Sequence, residues 1–261
     1  MAKILLTNDD GIEAPGLRAL AEALRREHDL AVLAPAEPRS GAGHAVTLHR
    51  EVTLRPVDWP GLRAFALDGT PADCVKLALT TLFPDRELVV SGINLGPNVG
   101  INVLYSGTVA AALEAAIQGR PGLALSVEYP PGAAGPDYGG PARFLAGLLR
   151  SLPSGDLPPA LNLNFPARRP WKGLRWTRQG LSGFREYYLE AGGDGRSRRF
   201  RVDGDYDVAE EEAEYDARAL AEGFVSVTPL GLDLTCRRGR PGDHRPLLEA
   251  AEEALRAALE E

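Results

Sequence analysis

The stretch KILLTNDDGIEAPGLRALAEALRREH, residues 3 to 28, decides the fold class. Lys3 to Asn8 reads as a short, continuously apolar strand, and Pro15 opens a run with apolar residues at helical spacing. Working outward, the alternation repeats. DLAVLAP at 29 to 35 reads as a strand, PADCVKLALTTLF from 71 as a helix, and ELVVSGIN as a strand ending near Asn94. TVAAALEAAIQG is a helix and GLALSVEY a strand. Strands alternating with helices of this length imply βαβ units and a mostly parallel sheet covered on both faces, an α/β fold of three layers. HAVTLHREVTLRPV and RAFALDG read as extra strands that form an antiparallel extension.

After about residue 130 the pattern loosens, with Pro and Gly clusters at 130 to 141 and 153 to 159 and a charged stretch from 185 to 216. LRWTRQG, followed by REYYLEAGG and RRFRVDG joined around Asp194 and Gly195, predicts a protruding hairpin over about 174 to 205. So polar a hairpin builds no core of its own, so it is expected to pack on a neighbouring subunit. FVSVTPL predicts a strand returning to the body, and RPLLEAAEEALRAALEE a closing amphipathic helix. The expected organisation is a core over 1 to 130 and a C-terminal part over 131 to 261.

The chain has 261 residues, 44% of them hydrophobic, enough to bury one substantial core with an appendage. Its net charge of -7 argues against a footprint for duplex nucleic acid. No apolar run approaches the roughly 20 residues a membrane helix needs, and the start turns acidic too early for a signal peptide. The expected compartment is the cytoplasm. Cys74 and Cys236 lie in no CxxC or CxxH spacing, which fits reduced, buried thiols.

Three loops that follow strands carry the chemistry. The first holds Asn8, Asp9, Asp10 and Gly11. Adjacent carboxylates repel one another unless a cation sits beside them. The second holds Arg39, Ser40, Gly41 and, further on, His44; Ser40 offers a hydroxyl to a metal and Arg39 a charge to phosphate. The third runs from Ser91 through Asn94 and Asn98 to Ser106, Gly107 and Thr108, where a helix starts and its N–H groups make an anion site. Each has a plainer reading: a polar turn, ordinary loop residues, and N-capping by Ser106 or Thr108. Their convergence on one sheet edge favours function. Of six asparagines in the chain, Asn8, Asn94, Asn98 and Asn102 fall in these loops. Carboxylate, hydroxyl and amide oxygens suit Mg²⁺ or Mn²⁺ rather than zinc or iron. There is no GxxxxGK[ST], no GxGxxG after the first strand and no G-x-S-x-G, which sets aside P-loop NTPases, dinucleotide oxidoreductases and serine hydrolases.

TNDDGIEAPG at 7 to 16, APAEPRSGAGHAVTLH at 34 to 49, DGTPADCVKLAL at 68 to 79, VVSGINLGPNVG at 89 to 100 and YSGTVAAALEAAIQG at 105 to 119 closely resemble the survival protein SurE family of 5′-nucleotidases. WTRQ at 176 to 179 and EGFVSVTPL at 222 to 230 extend a weaker likeness. The resemblance implies a Rossmann-like core, one divalent cation per subunit at Asp9, Asp10, Ser40 and Asn94, and phosphate held around Asn98, Ser106, Gly107 and Thr108, with Asn8 and Gly41 beside it. It also implies a hairpin exchanged between subunits of a dimer or tetramer. The reaction expected is hydrolysis of nucleoside 5′-monophosphates, with Asp9 and Asp10 catalytic; 3′-nucleotides and polyphosphate are further candidate substrates. The rival readings are a non-catalytic, metal-dependent nucleotide-binding module and a sugar-nucleotide transferase.

Overall fold

The structure, a computed structural model, describes residues 1–129, 135–151, 157–167, 169–194, 196–207 and 211–235. The first half of the chain runs β1 (Lys3–Thr7), α1 (Pro15–Leu24), β2 (Asp29–Pro35), β3 (Leu54–Val57), β4 (Arg63–Leu67), α2 (Pro71–Leu77), β5 (Leu88–Leu95), α3 (Gly107–Ile117) and β6 (Gly122–Val127). It continues with α4 (Gly139–Ser151), β7 (Ala160–Phe165), β8 (Leu174–Trp176), β9 (Gly183–Gly193), β10 (Arg198–Asp207), α5 (Asp216–Ala221) and β11 (Val225–Leu230). A π turn at Ala78–Leu82 extends α2, and a 3-10 turn at Gly100–Leu104 precedes α3.

Among the described residues nine strands form one sheet in the order β3-β4-β2-β1-β5-β6-β7-β11-β8. Strands β4 to β7 in that order are all parallel; β3 is antiparallel to β4, and β11 is antiparallel to β7. The two-residue period of a strand explains the layers. Ile4 and Leu6 of β1 face a core with Leu17, Leu20 and Leu24 of α1 and Leu145 of α4. Leu5 faces the opposite core, with Val75 of α2 and Ala111 of α3. Leu5 is fully buried, so Leu5→Ala would cost about 2–5 kcal/mol. Because α1 and α3 cover opposite faces, the chain leaves β1 and β5 in opposite directions, and a crevice opens at their carboxyl ends, where open α/β sheets take ligands.

The chain departs from expectation in several places. RAFALDG does form a strand, but β4 is parallel to β2, and residues 44–53 carry no strand; the antiparallel extension on that side is β3 alone. Leu174–Trp176 belongs to the main sheet beside β11, so the hairpin is shorter and later than 174 to 205: it comprises β9 and β10, paired from Gly183↔Asp207 to Gly193↔Arg198. Helix α4 and strand β7 arise where Pro and Gly clusters announced irregular chain. In β7, Leu161, Leu163 and Phe165 pack in the core while the intervening Asn162 and Asn164 are buried too, so polar residues mask a fully buried strand. The sheet begun by β1 continues into β7, β11 and β8, so strands from both sides of residue 130 share it. Met1–Leu230 forms one compact unit. The closing helix expected at 245–261 lies outside the described residues.

Candidate active site

At the end of β1 the buried Asn8 donates from Nδ2 to Gly11 O at 2.9 Å and so closes the turn; its Oδ1 is buried without a hydrogen-bond partner. The turn sends the two carboxylates different ways. Asp9 points to the start of α3, accepting from Thr108 N at 3.1 Å and from the Thr108 hydroxyl. Asp10 Oδ2 accepts from Leu95 N at 3.4 Å. The approach of α3 depends on Gly107, because a Cβ there would lie 2.8 Å from Asp9 Cβ. Ser106 caps the helix, its Oγ accepting from Val109 N at 3.1 Å.

Both carboxylates titrate high. Burial raises Asp9, against hydrogen bonds from Thr108 that favour the charged form. Asp10 is pushed up to about 6, first by burial and then by the charge of Asp9, with the Leu95 N–H opposing.

The loop after β2 is tied down on several sides. Arg39 N donates to Asp9 O at 2.7 Å, and Gly43 N to Tyr105 O at 3.0 Å. His44 Nε2 lies 3.0 Å from Glu114 Oε2, and Thr47 gives its N–H and hydroxyl to Asp73 at 2.9 and 2.7 Å. Glu114 also meets Lys76 Nζ at 2.9 Å and Gln118 Nε2 at 2.8 Å. Burial would raise Glu114, but hydrogen bonds from His44, Lys76 and Gln118 prevail and hold it at about 2. The Arg39 guanidinium reaches Asp68 at 3.4 Å rather than facing the site, which corrects its expected role at phosphate.

The loop after β5 is fixed from the far side of the sheet. Asn94 Nδ2 donates to Gly96 O at 2.7 Å, which leaves its amide oxygen for a ligand. Asn98 N donates to Asn164 Oδ1 at 2.8 Å, Asn98 O accepts from Asn162 Nδ2 at 2.7 Å, and Asn98 Nδ2 donates to Ser126 Oγ at 2.9 Å. Beyond it, the buried Asp216 accepts from Gly100 N at 2.9 Å and Gly180 N at 3.0 Å, and Phe184 N donates to Asn102 Oδ1 at 3.2 Å. These bonds bring the first residues of β9 to the site.

A cavity of about 270 Å³ results. It brings together Asp9, Asp10, Ser40, Gly41, Asn94, Asn98 and Ser106 of the residues singled out in the sequence. Asn8, Gly107 and Thr108 lie buried outside its lining, Thr108 with hydroxyl and N–H both given to Asp9. Phe184 and Glu186 of β9 also line it and were not anticipated. They open the hairpin, far along the chain from the three loops, and tertiary contacts such as Phe184 N to Asn102 Oδ1 deliver them. Among the described residues the lining contains Asp9, Asp10 and Glu186 and no Lys, Arg or His. Among the described residues no group of three or more His, Cys, Asp or Glu gathers to hold a metal, so a cation here would rely on two carboxylates completed by neutral oxygens. The donors are hard oxygen ligands, and two crowded, desolvated carboxylates fit a divalent cation.

Residues 4–186 match the sequence model of the family described as Survival protein SurE. The chain is 46% identical to 5′-nucleotidase SurE of Moorella thermoacetica, across 89% of this chain and 91% of that one. It is 43% identical to 5′-nucleotidase SurE of Geobacter metallireducens, across 89% and 92%. Its fold matches the crystal structure of the SurE protein from Aquifex aeolicus with a TM-score of 0.78 at 33% identity, across 93% of this chain and 98% of that one. With its crevice, its paired carboxylates and these likenesses along nearly all its length, the chain belongs to the SurE family.

Proposed function

We propose that this 5′-nucleotidase hydrolyses nucleoside 5′-monophosphates to nucleoside and phosphate with one divalent cation per subunit, Mg²⁺ or Mn²⁺. One observation carries the reading: among the described residues the cavity is lined by three acidic residues and no basic one. A phosphate dianion enters such a site only if a cation offsets the negative charge. Asp9, Asp10, Ser40 and Asn94 would hold it. When bound, it would supply Lewis-acid polarisation of a phosphoryl oxygen.

The chain's own groups do the rest. Asn98 keeps a second amide hydrogen beyond the one given to Ser126, and Ser106 brings a hydroxyl at the N-terminus of α3, so both would bond charge developing on the phosphoryl group. Thr108 and Gly107 serve by placing Asp9. Asp10 is more exposed than Asp9 and, among the described residues, held only by the long bond from Leu95, so besides its place at the cation it would orient the attacking water and take its proton.

Dimers or tetramers through the hairpin are part of the proposal. Tyr187, Tyr188, Phe200 and Val202 stand exposed on its two strands, which supports packing against a second copy. No helix of the described residues is long and apolar enough to cross a membrane, and the cytoplasm is the proposed compartment.

The test is phosphate release from 5′- and 3′-nucleoside monophosphates and polyphosphate by metal-stripped protein given Mg²⁺, Mn²⁺ or EDTA. Release from 5′-monophosphates, restored by metal and abolished by EDTA, is expected. Folded protein that binds nucleotide yet releases nothing would select the non-catalytic module.

A further inference from the structure

We propose that Tyr105, Phe184 and Glu186 form a nucleobase subsite in this cavity, selective for purines with N–H donors on their edge and for guanine above all. The proposal rests on the phosphatase reading above and deepens it. The loops after β1, β2 and β5 bring phosphate and metal chemistry, whereas these three side chains bring a different one: two aromatic rings and a third carboxylate.

The two rings are positioned from one residue. Asn102 O accepts from Tyr105 N at 3.1 Å, and Asn102 Oδ1 accepts from Phe184 N at 3.2 Å. The Tyr105 side chain is 55% exposed, so its ring is not used in the core, and its backbone is pinned again by Gly43 N. The half-buried Phe184 ring lies along Gly204 of β10, and both rings line the cavity, where aromatic faces serve a base as stacking platforms.

Glu186 stands two residues along β9 from Phe184, hence on the same face of the strand. Among the described residues no hydrogen bond or ion pair holds its carboxylate. An unpaired carboxylate repels the phosphate, so its fitting partner is the end of the substrate that carries N–H groups. Guanine presents N1–H and an exocyclic amine side by side, which a carboxylate accepts as two parallel bonds. Hypoxanthine offers the first alone. Adenine and cytosine offer an amine beside a ring acceptor, which a carboxylate opposes.

The experiment compares kcat/KM for GMP, IMP, AMP and ribose 5-phosphate in wild-type protein, Glu186→Gln and Phe184→Ala, with guanosine and inosine binding measured alongside. GMP should exceed IMP by about five- to tenfold, a modest ratio because Glu186 is exposed. Glu186→Gln should bring that ratio close to one, and Phe184→Ala should lower the ratio of GMP to ribose 5-phosphate by about fivefold or more. Ratios unchanged in both variants while hydrolysis continues would overturn the subsite, as would an equal fall on all four substrates, which would place Glu186 in phosphoryl transfer. No release from any substrate by wild-type protein would overturn the phosphatase reading instead; guanosine and inosine binding insensitive to Glu186→Gln would then dispose of the subsite as well.

Discussion

Thr108 gives both its hydroxyl and its backbone N–H to the carboxylate of Asp9, joining the first turn of α3 to the loop after β1. Neither residue could hold its place alone: Asp9 is 4% exposed and Thr108 fully buried, and a buried carboxylate needs donors. Thr108→Val keeps the shape and removes one donor. The expected result is a loss of about 1–3 kcal/mol in unfolding free energy, with weaker Mn²⁺ binding, because Asp9 then holds its proton more tightly. Thr108→Ser should recover most of both. Thermal unfolding and Mn²⁺ titration check this, and a Val variant equal to wild type in both would show that the bond is idle.

Asp10 should separate stability from activity. Its folded-state pKa, about 6, lies above the ordinary 3.8, so its ionisation destabilises the metal-free fold. The favourable contribution is complete below 3.8 and is lost as pH rises through about 6. Asp10→Asn should therefore raise the melting temperature of stripped protein at pH 7.5 while cutting turnover by about two orders of magnitude or more. A variant that is both less stable and fully active would contradict each half.

Metal binding should share this titration. Below pH 6 a cation must displace the proton of Asp10, so affinity is expected to fall by about tenfold per pH unit from 6 to 5 and to level off above 7. Calorimetric titration of stripped protein with Mn²⁺ at several pH values provides the measurement. A flat profile would remove Asp10 from the ligand set.

Glu114 lines no part of the cavity but should matter to it, since His44 ties the Ser40 loop to this buried carboxylate. Held at about 2 against an ordinary 4.5, its charge contributes stability above pH 4.5 that is lost as pH falls towards 2. Glu114→Gln should cost about 1–3 kcal/mol at neutral pH and flatten the acid limb of the stability curve. Urea unfolding at pH 7 and pH 4 reports on both, and an unaltered acid limb would place the source of acid sensitivity elsewhere.

The order of strands and helices through β6 was legible in the sequence because each is a strong local signal: continuous apolar runs for buried strands, 3.6-residue spacing for helices. The three polar loops were legible for the same reason, since parallel strands put their carboxyl ends on one edge whatever the side chains do. Asp9, Asp10, Ser40, Asn94, Asn98 and Ser106 accordingly meet in one cavity. Strand β7 was missed because Asn162 and Asn164 break its apolar run, and their purpose, holding Asn98 from across two strands, exists only in three dimensions. Tertiary structure alone decided that Thr108 faces Asp9, that Arg39 turns to Asp68, and that Phe184 and Glu186 reach the cavity. Each depends on contacts between residues far apart in the chain, which local periodicity does not encode; the sequence determined where chemistry is possible, and packing chose which atoms are free to perform it.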